Sequence, residues 1–234
     1  MNRLDTSFKI KEIILLICSI IFLTSFIIVL ISLINNKNQM FEIDKRVVDF
    51  MLANRGDKNG FVYFLFKIIT QFGFLYVLIA LGIFILIYTR LDIRFILPLG
   101  IILTALLINH ILKNSIARIR PDDLYRWENI DSYSFPSSHS LASTILYSYL
   151  IYFTYKDNKM NKVLKIIIIV FSIIIIPLVL ISRMVLMVHY FTDVLAGFLL
   201  GMFFFIICIM LLEFFIKKEI LIKPLINFKK KSEE

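Results

Sequence analysis

Cysteine is scarce in this chain. Its 234 residues hold two, Cys18 and Cys208, each inside an apolar run. Nothing in their spacing suggests a disulfide or a thiolate metal site, so both read as packing thiols. Charge is scarce as well: 18% of residues are charged, against 59% hydrophobic. A soluble domain of this length needs far more polar surface than that. The first apolar run is too long for a signal-peptide core and has no small-residue cleavage pattern after it, so it reads as a retained span. Internal repeats and low-complexity linkers are missing, which leaves one domain over 1–234. Carboxylates nowhere gather as ligands for a metal ion; the adjacent Asp122 and Asp123 read as solvated loop charges without a supporting partner. No metal and no cofactor is expected.

What is present is six apolar runs, at 13–34, 68–89, 93–112, 138–155, 163–182 and 193–216. About 20 apolar residues span the hydrocarbon of a bilayer. The expectation is an all-α, polytopic membrane helix bundle with six transmembrane helices. The net charge of +9 does not imply nucleic acid, because its distribution follows the membrane. Fifteen of the 26 lysines and arginines fall on the side that carries both termini, which predicts cytoplasmic termini and a basic tail over 217–234 near anionic lipid. Residues 41–52, "FEIDKRVVDFML", are amphipathic at helical spacing. Phe41, Val47, Val48 and Met51 are assigned to one face, with Asp44, Lys45 and Asp49 away from it. That helix either lies at the outer interface or packs on the bundle. Arg-Gly-Asp at 55–57 reads as a chance tripeptide in a turn. Gly73 and Gly82, and the Gly197/Gly201 pair, suit close helix packing within the bundle.

On this topology three polar clusters meet at the outer face: "KNSIARIRP" (113–121), "FPSSHS" (135–140) and "SRMVLMVHYFTD" (182–193). Two of the three histidines, His139 and His189, lie in them. Ionisable groups at membrane depth are costly and tend to be functional. Lys113, six residues, Arg120-Pro121; Pro136-Ser137-Ser138-His139; and Ser182-Arg183, five residues, His189, three residues, Asp193 together resemble the type 2 phosphatidic acid phosphatase family. Its wider superfamily includes lipid phosphatases, glucose-6-phosphatase and vanadium-dependent haloperoxidases. The resemblance covers about residues 60–216 and departs at Ser138, where the family most often carries glycine.

The chemistry follows from the residue types, and the resemblance implies the same roles. A carboxylate at Asp193, four residues from His189, fixes the imidazole tautomer if the helix begins near 189, so the other ring nitrogen presents a lone pair for attack on phosphorus. His139 serves as general acid and then general base. Lys113, Arg120 and Arg183 neutralise the equatorial oxygens. The Ser137 hydroxyl and the free backbone N–H groups where the fourth span opens complete the phosphate cradle, with Ser138 also counted among the phosphate-binding residues.

Other polar residues take plainer readings. Arg118 and Arg126 read as interfacial anchors, and His110 as a hydrogen-bonded packing residue. Trp127, Tyr125 and Phe135 suit the headgroup layer. A transporter that binds an anion with the same charges is the main alternative; it leaves the His189–Asp193 pair without a task. The expected partner is a lipid phosphate in the cell membrane, with no nucleic acid. Phosphatidic acid, phosphatidylglycerophosphate and undecaprenyl diphosphate all fit, since groove shape decides among tails.

Overall fold

The computed structural model describes residues 3–58, 60–73, 93–158 and 160–217. Over these residues the chain forms seven helices and no strand: α1 (Arg3–Asn35), α2 (Glu42–Asn54), α3 (Phe61–Gln71), α4 (Ile93–Ile116), α5 (Ser138–Lys156), α6 (Lys162–Val185) and α7 (Phe191–Lys217). Among the described residues four segments are long and apolar enough to cross a membrane: Ile10–Asn35, Ile96–Ile116, Lys162–Val185 and Phe191–Ile216. On α1 and α6 rows of isoleucine point outward, among them Ile13, Ile20 and Ile28, and Ile166 and Ile173. On helices of this length such contiguous apolar surface suits the hydrocarbon of a bilayer. The chain is a multi-pass membrane protein.

The six expected spans are met differently. That at 68–89 begins in the last turn of α3, which stops at Gln71 with Phe72 as its C-cap; most of the rest lies outside the described residues. The span expected over 138–155 is α5, whose polarity has a structural reason. Packed against α4, α6 and α7, it buries Ser140, Ser143, Thr144 and Ser148. In this central position its hydroxyls face neighbouring helices instead of lipid: Ser143 Oγ donates back to the His139 carbonyl at 2.7 Å, and Ser148 Oγ lies 3.9 Å from Met202 Sδ on α7.

The α5–α7 contact depends on two missing side chains. A Cβ at Gly197 would lie 2.5 Å from the Ser137 carbonyl oxygen and 2.9 Å from Ser140 Cβ; one at Gly201 would lie 2.8 Å from Thr144 Cβ. The G-x-x-x-G pair thus serves packing inside the bundle, as expected. Because the first obstruction is backbone, Gly197→Ala is expected to push the start of α5 away and to cost about 1–3 kcal/mol, read as a lower unfolding temperature in detergent. Gly100→Ala, at a site with nothing within 4 Å, is the control and should be neutral or stabilising.

Helix α2 packs on α6 and α7. Phe41, Val47, Val48 and Met51 are half-buried there. The assignment of Asp44 to the opposite face is corrected: Asp44 is completely buried. Helical geometry explains it, since Asp44 lies three residues after Phe41 and four before Val48, on the same stripe. Arg55 of the Arg-Gly-Asp turn is buried as well. Its guanidinium sits 4.3 Å from the Trp127 ring centre and donates to the Val185 carbonyl at 3.2 Å, so this tripeptide offers no free arginine.

Candidate active site

Three chain segments meet where α4 ends, α5 begins and α6 turns into α7. Lys113 lies in the last turn of α4. Its ammonium donates to the carbonyls of Tyr133 (2.8 Å) and Ser134 (3.2 Å), which ties the helix to the returning loop. After α4 the chain turns through Ala117, at φ +52°, and runs extended into Pro121, as a residue before proline prefers. Side chains alternate in an extended segment. Ile119 is therefore exposed, and Arg118 and Arg120 on either side of it are buried.

Ser137 caps α5: its Oγ accepts from Ser140 N at 3.4 Å and from Ser140 Oγ at 2.9 Å. The hydroxyl assigned to the phosphate cradle is thus held by its own helix, with its proton still to donate. Ser137 N donates to the Asp193 carbonyl at 3.0 Å, which joins the second and third clusters through backbone. Ser138 and His139 are half-buried in the first turn. Asn109 donates to Ser138 Oγ at 2.8 Å. The absence of a side chain at Gly73 lets His139 seat against the end of α3, where a Cβ would meet its ring at 3.2 Å. A cavity of about 240 Å³ is lined by Lys113, His139, Ser138 and Asn109, with Leu106 and Ala142 behind them.

Arg183 stands in the last turn of α6, and its carbonyl accepts from the N–H groups of both Val188 and His189. Its side chain, fully buried, donates to Thr70 Oγ1 at 2.5 Å and lies 3.8 Å from Glu128. Helix α7 begins at Phe191, so His189 precedes it and the expected one-face helical pairing is corrected. Asp193 instead turns back and accepts the Tyr190 N–H at 2.9 Å, as the acidic member of a capping box does.

The geometry assigns the His189 tautomer. Arg120 Nη1 is 3.2 Å from His189 Nε2; a guanidinium only donates, so Nε2 carries the lone pair and Nδ1 the proton. Nδ1 is 3.6 Å from Asp193 Oδ2 and 3.4 Å from Ser134 Oγ. Ser134 Oγ in turn donates to Asp193 Oδ2. The contact expected to be direct therefore has a serine hydroxyl beside it, a residue the sequence reading did not single out. Burial, reinforced by Arg120, Lys113 and Arg183, holds the His189 pKa well below its ordinary value, so the imidazole is neutral near neutral pH. His139 lies within electrostatic reach of Arg183, His189, Lys113 and Arg120.

The interfacial-anchor reading of Arg118 is wrong. Arg118 is fully buried and donates to Asp193 Oδ1 (2.5 Å), Asp44 Oδ2 (2.7 Å) and Thr192 Oγ1 (2.8 Å). Burial opposes its charge, yet Asp193 and Asp44 together hold its pKa above the ordinary value. A usable signal was its spacing of two from Arg120 in a segment made extended by Pro121. Arg126 pairs with Asp123 and donates to the Ile130 carbonyl, and Asp122 accepts the Leu124 N–H at 3.0 Å. Both acids are exposed. His110 is exposed and hydrogen-bonds Asn114 at 3.1 Å, so the bond is as expected but the packing is not. Of the three loop aromatics only Tyr125 is exposed; Trp127 packs edge-on to Tyr63, and Phe135, fully buried, stacks on Phe26. Among the described residues no three His, Cys, Asp or Glu side chains are grouped as metal ligands.

Known proteins resemble this chain in sequence and fold. The chain is 39% identical over 99 residues to phosphatidylglycerophosphatase B of Bacillus subtilis (strain 168), covering 42% of this chain and 48% of that protein; the match thus spans about half the length of the curated relative. Its fold is similar to the crystal structure described as the first transmembrane PAP2 type phosphatidylglycerolphosphate phosphatase from Bacillus subtilis. There the TM-score is 0.72 at 26% identity, over 90% of this chain and 98% of that one. The Aquifex aeolicus LpxE structure shares the fold at TM-score 0.55 and 19% identity, over 72% of this chain and 96% of that one. The pattern of the PAP2 superfamily matches residues 94–217, which holds all three clusters and more than half the chain, and on that ground this protein belongs to the PAP2 superfamily.

Proposed function

We propose that this protein is a lipid phosphatase that removes a terminal phosphate through a phosphohistidine at His189. The observation that carries this reading is the lone pair of His189 Nε2, turned towards Arg120 with Lys113 and Arg183 acting on the same ring. A neutral nucleophile among basic side chains suits a dianionic phosphate. Nε2 attacks phosphorus and the P–O bond to the lipid breaks. His139 gives its proton to the leaving oxygen, so the lipid alcohol departs. Water then attacks the phosphoenzyme, His139 takes its proton, the P–N bond breaks and inorganic phosphate leaves. Lys113, Arg120 and Arg183, with Ser137 and Ser138 at the start of α5, bind the transferring group. Asp193 stabilises the imidazolium that forms.

The spans and the cation bias support six crossings with cytoplasmic termini and the site on the outer face. Among substrates we favour phosphatidylglycerophosphate, because that is the substrate named for the Bacillus subtilis matches; phosphatidic acid and undecaprenyl diphosphate are the competitors. Purified protein given each lipid in detergent micelles should release phosphate fastest from phosphatidylglycerophosphate. Activity should persist in excess EDTA, since three cations already face the transferring group, and orthovanadate should compete with lipid phosphate by mimicking the five-coordinate transition state. Phosphate release from none of the three lipids would overturn the reading.

A further inference from the structure

Arg118 is shared by two carboxylates, and only one of them faces His189. We propose that Asp44 is a positioning residue for the phosphoryl transfer, sharing Arg118 so that the charge of Asp193 stays uncancelled opposite His189. The proposal rests on the reading of His189 as the nucleophile. Asp44 comes from α2, outside the span 94–217 matched by the superfamily pattern.

Asp44, Arg118 and Asp193 are all completely buried. Arg118 Nη1 serves Asp193, and Nη2 serves Asp44. Asp44 also accepts the Thr192 N–H at 2.9 Å and the Thr192 hydroxyl at 2.8 Å, so it grips the residue next to Asp193. The charge count is what matters. One guanidinium against Asp193 alone would make a neutral pair, and His189 would face little more than a dipole. With Asp44 added, the group of three carries one net negative charge, and Asp193 is its member nearest the imidazole.

The surroundings of His189 make that charge valuable. Arg120 from the extended segment, Lys113 from α4, Arg183 from α6 and His139 from α5 all act on it or lie within reach, and each is cationic or neutral. As Nε2 attacks phosphorus the ring becomes positive, so a fixed negative charge behind Nδ1 lowers the transition state more than the ground state. In the free enzyme the same charge raises the proton affinity of His189. Its loss must therefore slow transfer and also lower the pH at which His189 protonates.

The test uses the full-length protein in detergent micelles with phosphatidylglycerophosphate, following kcat and KM across pH. Asp44→Asn should lower kcat on the order of tenfold to a hundredfold at unchanged KM, and move the acid limb of kcat/KM down by about one pH unit. The double variant Asp44→Asn, Arg118→Gln removes one charge of each sign and restores the net negative charge. It should be faster than Asp44→Asn and return the acid limb to the wild-type pH. A role in packing alone predicts the reverse order, because the double variant loses more contacts. Wild-type kcat in Asp44→Asn, or a double variant slower than the single, would overturn the proposal. If Asp44→Asn does not fold, the double variant decides by itself: a wild-type acid limb supports the proposal, and turnover as low as that of Asp193→Asn overturns it. Failure of both to fold makes Asp44 purely structural and overturns it too. A wild-type protein that hydrolyses no lipid phosphate would instead defeat the phosphatase reading, and this inference with it.

Discussion

His189→Ala is expected to abolish turnover, by about 10⁴-fold or more, and to leave no acid-labile phosphoenzyme when the reaction is quenched in base. The substitution removes the only atom proposed to bond phosphorus, whereas the cations around it stay. His139→Ala should behave differently. It removes a proton donor and acceptor, which typically contributes about 10²–10⁴-fold, so formation and hydrolysis of the intermediate both slow while some still forms. Rapid quenching with labelled lipid phosphate separates the two variants. A phosphoenzyme trapped in the His189→Ala protein would show that the nucleophile is another residue. The low His189 pKa has a definite sign here. The imidazole must be neutral to attack, and burial with three nearby cations disfavours its charged form. Activity is therefore expected to persist below the ordinary histidine pKa of about 6.5.

Arg118→Ala should be the most destabilising single change at the site. Both carboxylates it serves are fully buried, as the arginine is itself. Removing one partner of a buried ion group costs about 3–5 kcal/mol, because the remaining charges keep the desolvation penalty without the attraction. For a chain of this length that corresponds to a fall of roughly 10 °C in unfolding temperature. Arg46→Ala is the matched control. Arg46 pairs with Glu42 on α2 at 3.2 Å, but their side chains are 73% and 69% exposed. Exposed pairs of this kind contribute about 0.5 kcal/mol or less. Equal unfolding temperatures for the two variants would mean that the buried triad carries no stability.

The difference between these two arginines also shows where sequence reading stopped. Exposed charges on an amphipathic helix follow from position, as those of Lys45 and Asp49 on α2 do. Arg118 reads locally as an interfacial anchor, because nothing nearby in the chain says that a carboxylate from α2, 74 positions earlier, and another from α7 will close on it. Asp44 was misplaced although its spacing from Phe41 and Val48 sets it on the buried stripe. A carboxylate there is credible only once its partner is known. Ser134, beside both His189 and Asp193, carries no pattern of its own.

The sequence by itself determined the membrane class, the helical architecture and the residues of the three clusters. Long apolar runs permit little else in a bilayer, where each backbone polar group must be satisfied within its own helix, and spacing around proline, serine and histidine survives as a local signature. Only the tertiary structure decided what lies behind those residues. It placed α7 two residues after His189, put Ser134 beside the histidine and aspartate, committed Ser137 to capping α5, and gave Arg118 two carboxylates to hold. Each of these depends on which long-range partner neutralises a buried charge or accepts a buried proton. That choice is made by packing, among groups far apart in the chain, because a charge out of water is tolerated only where its partner has already been brought.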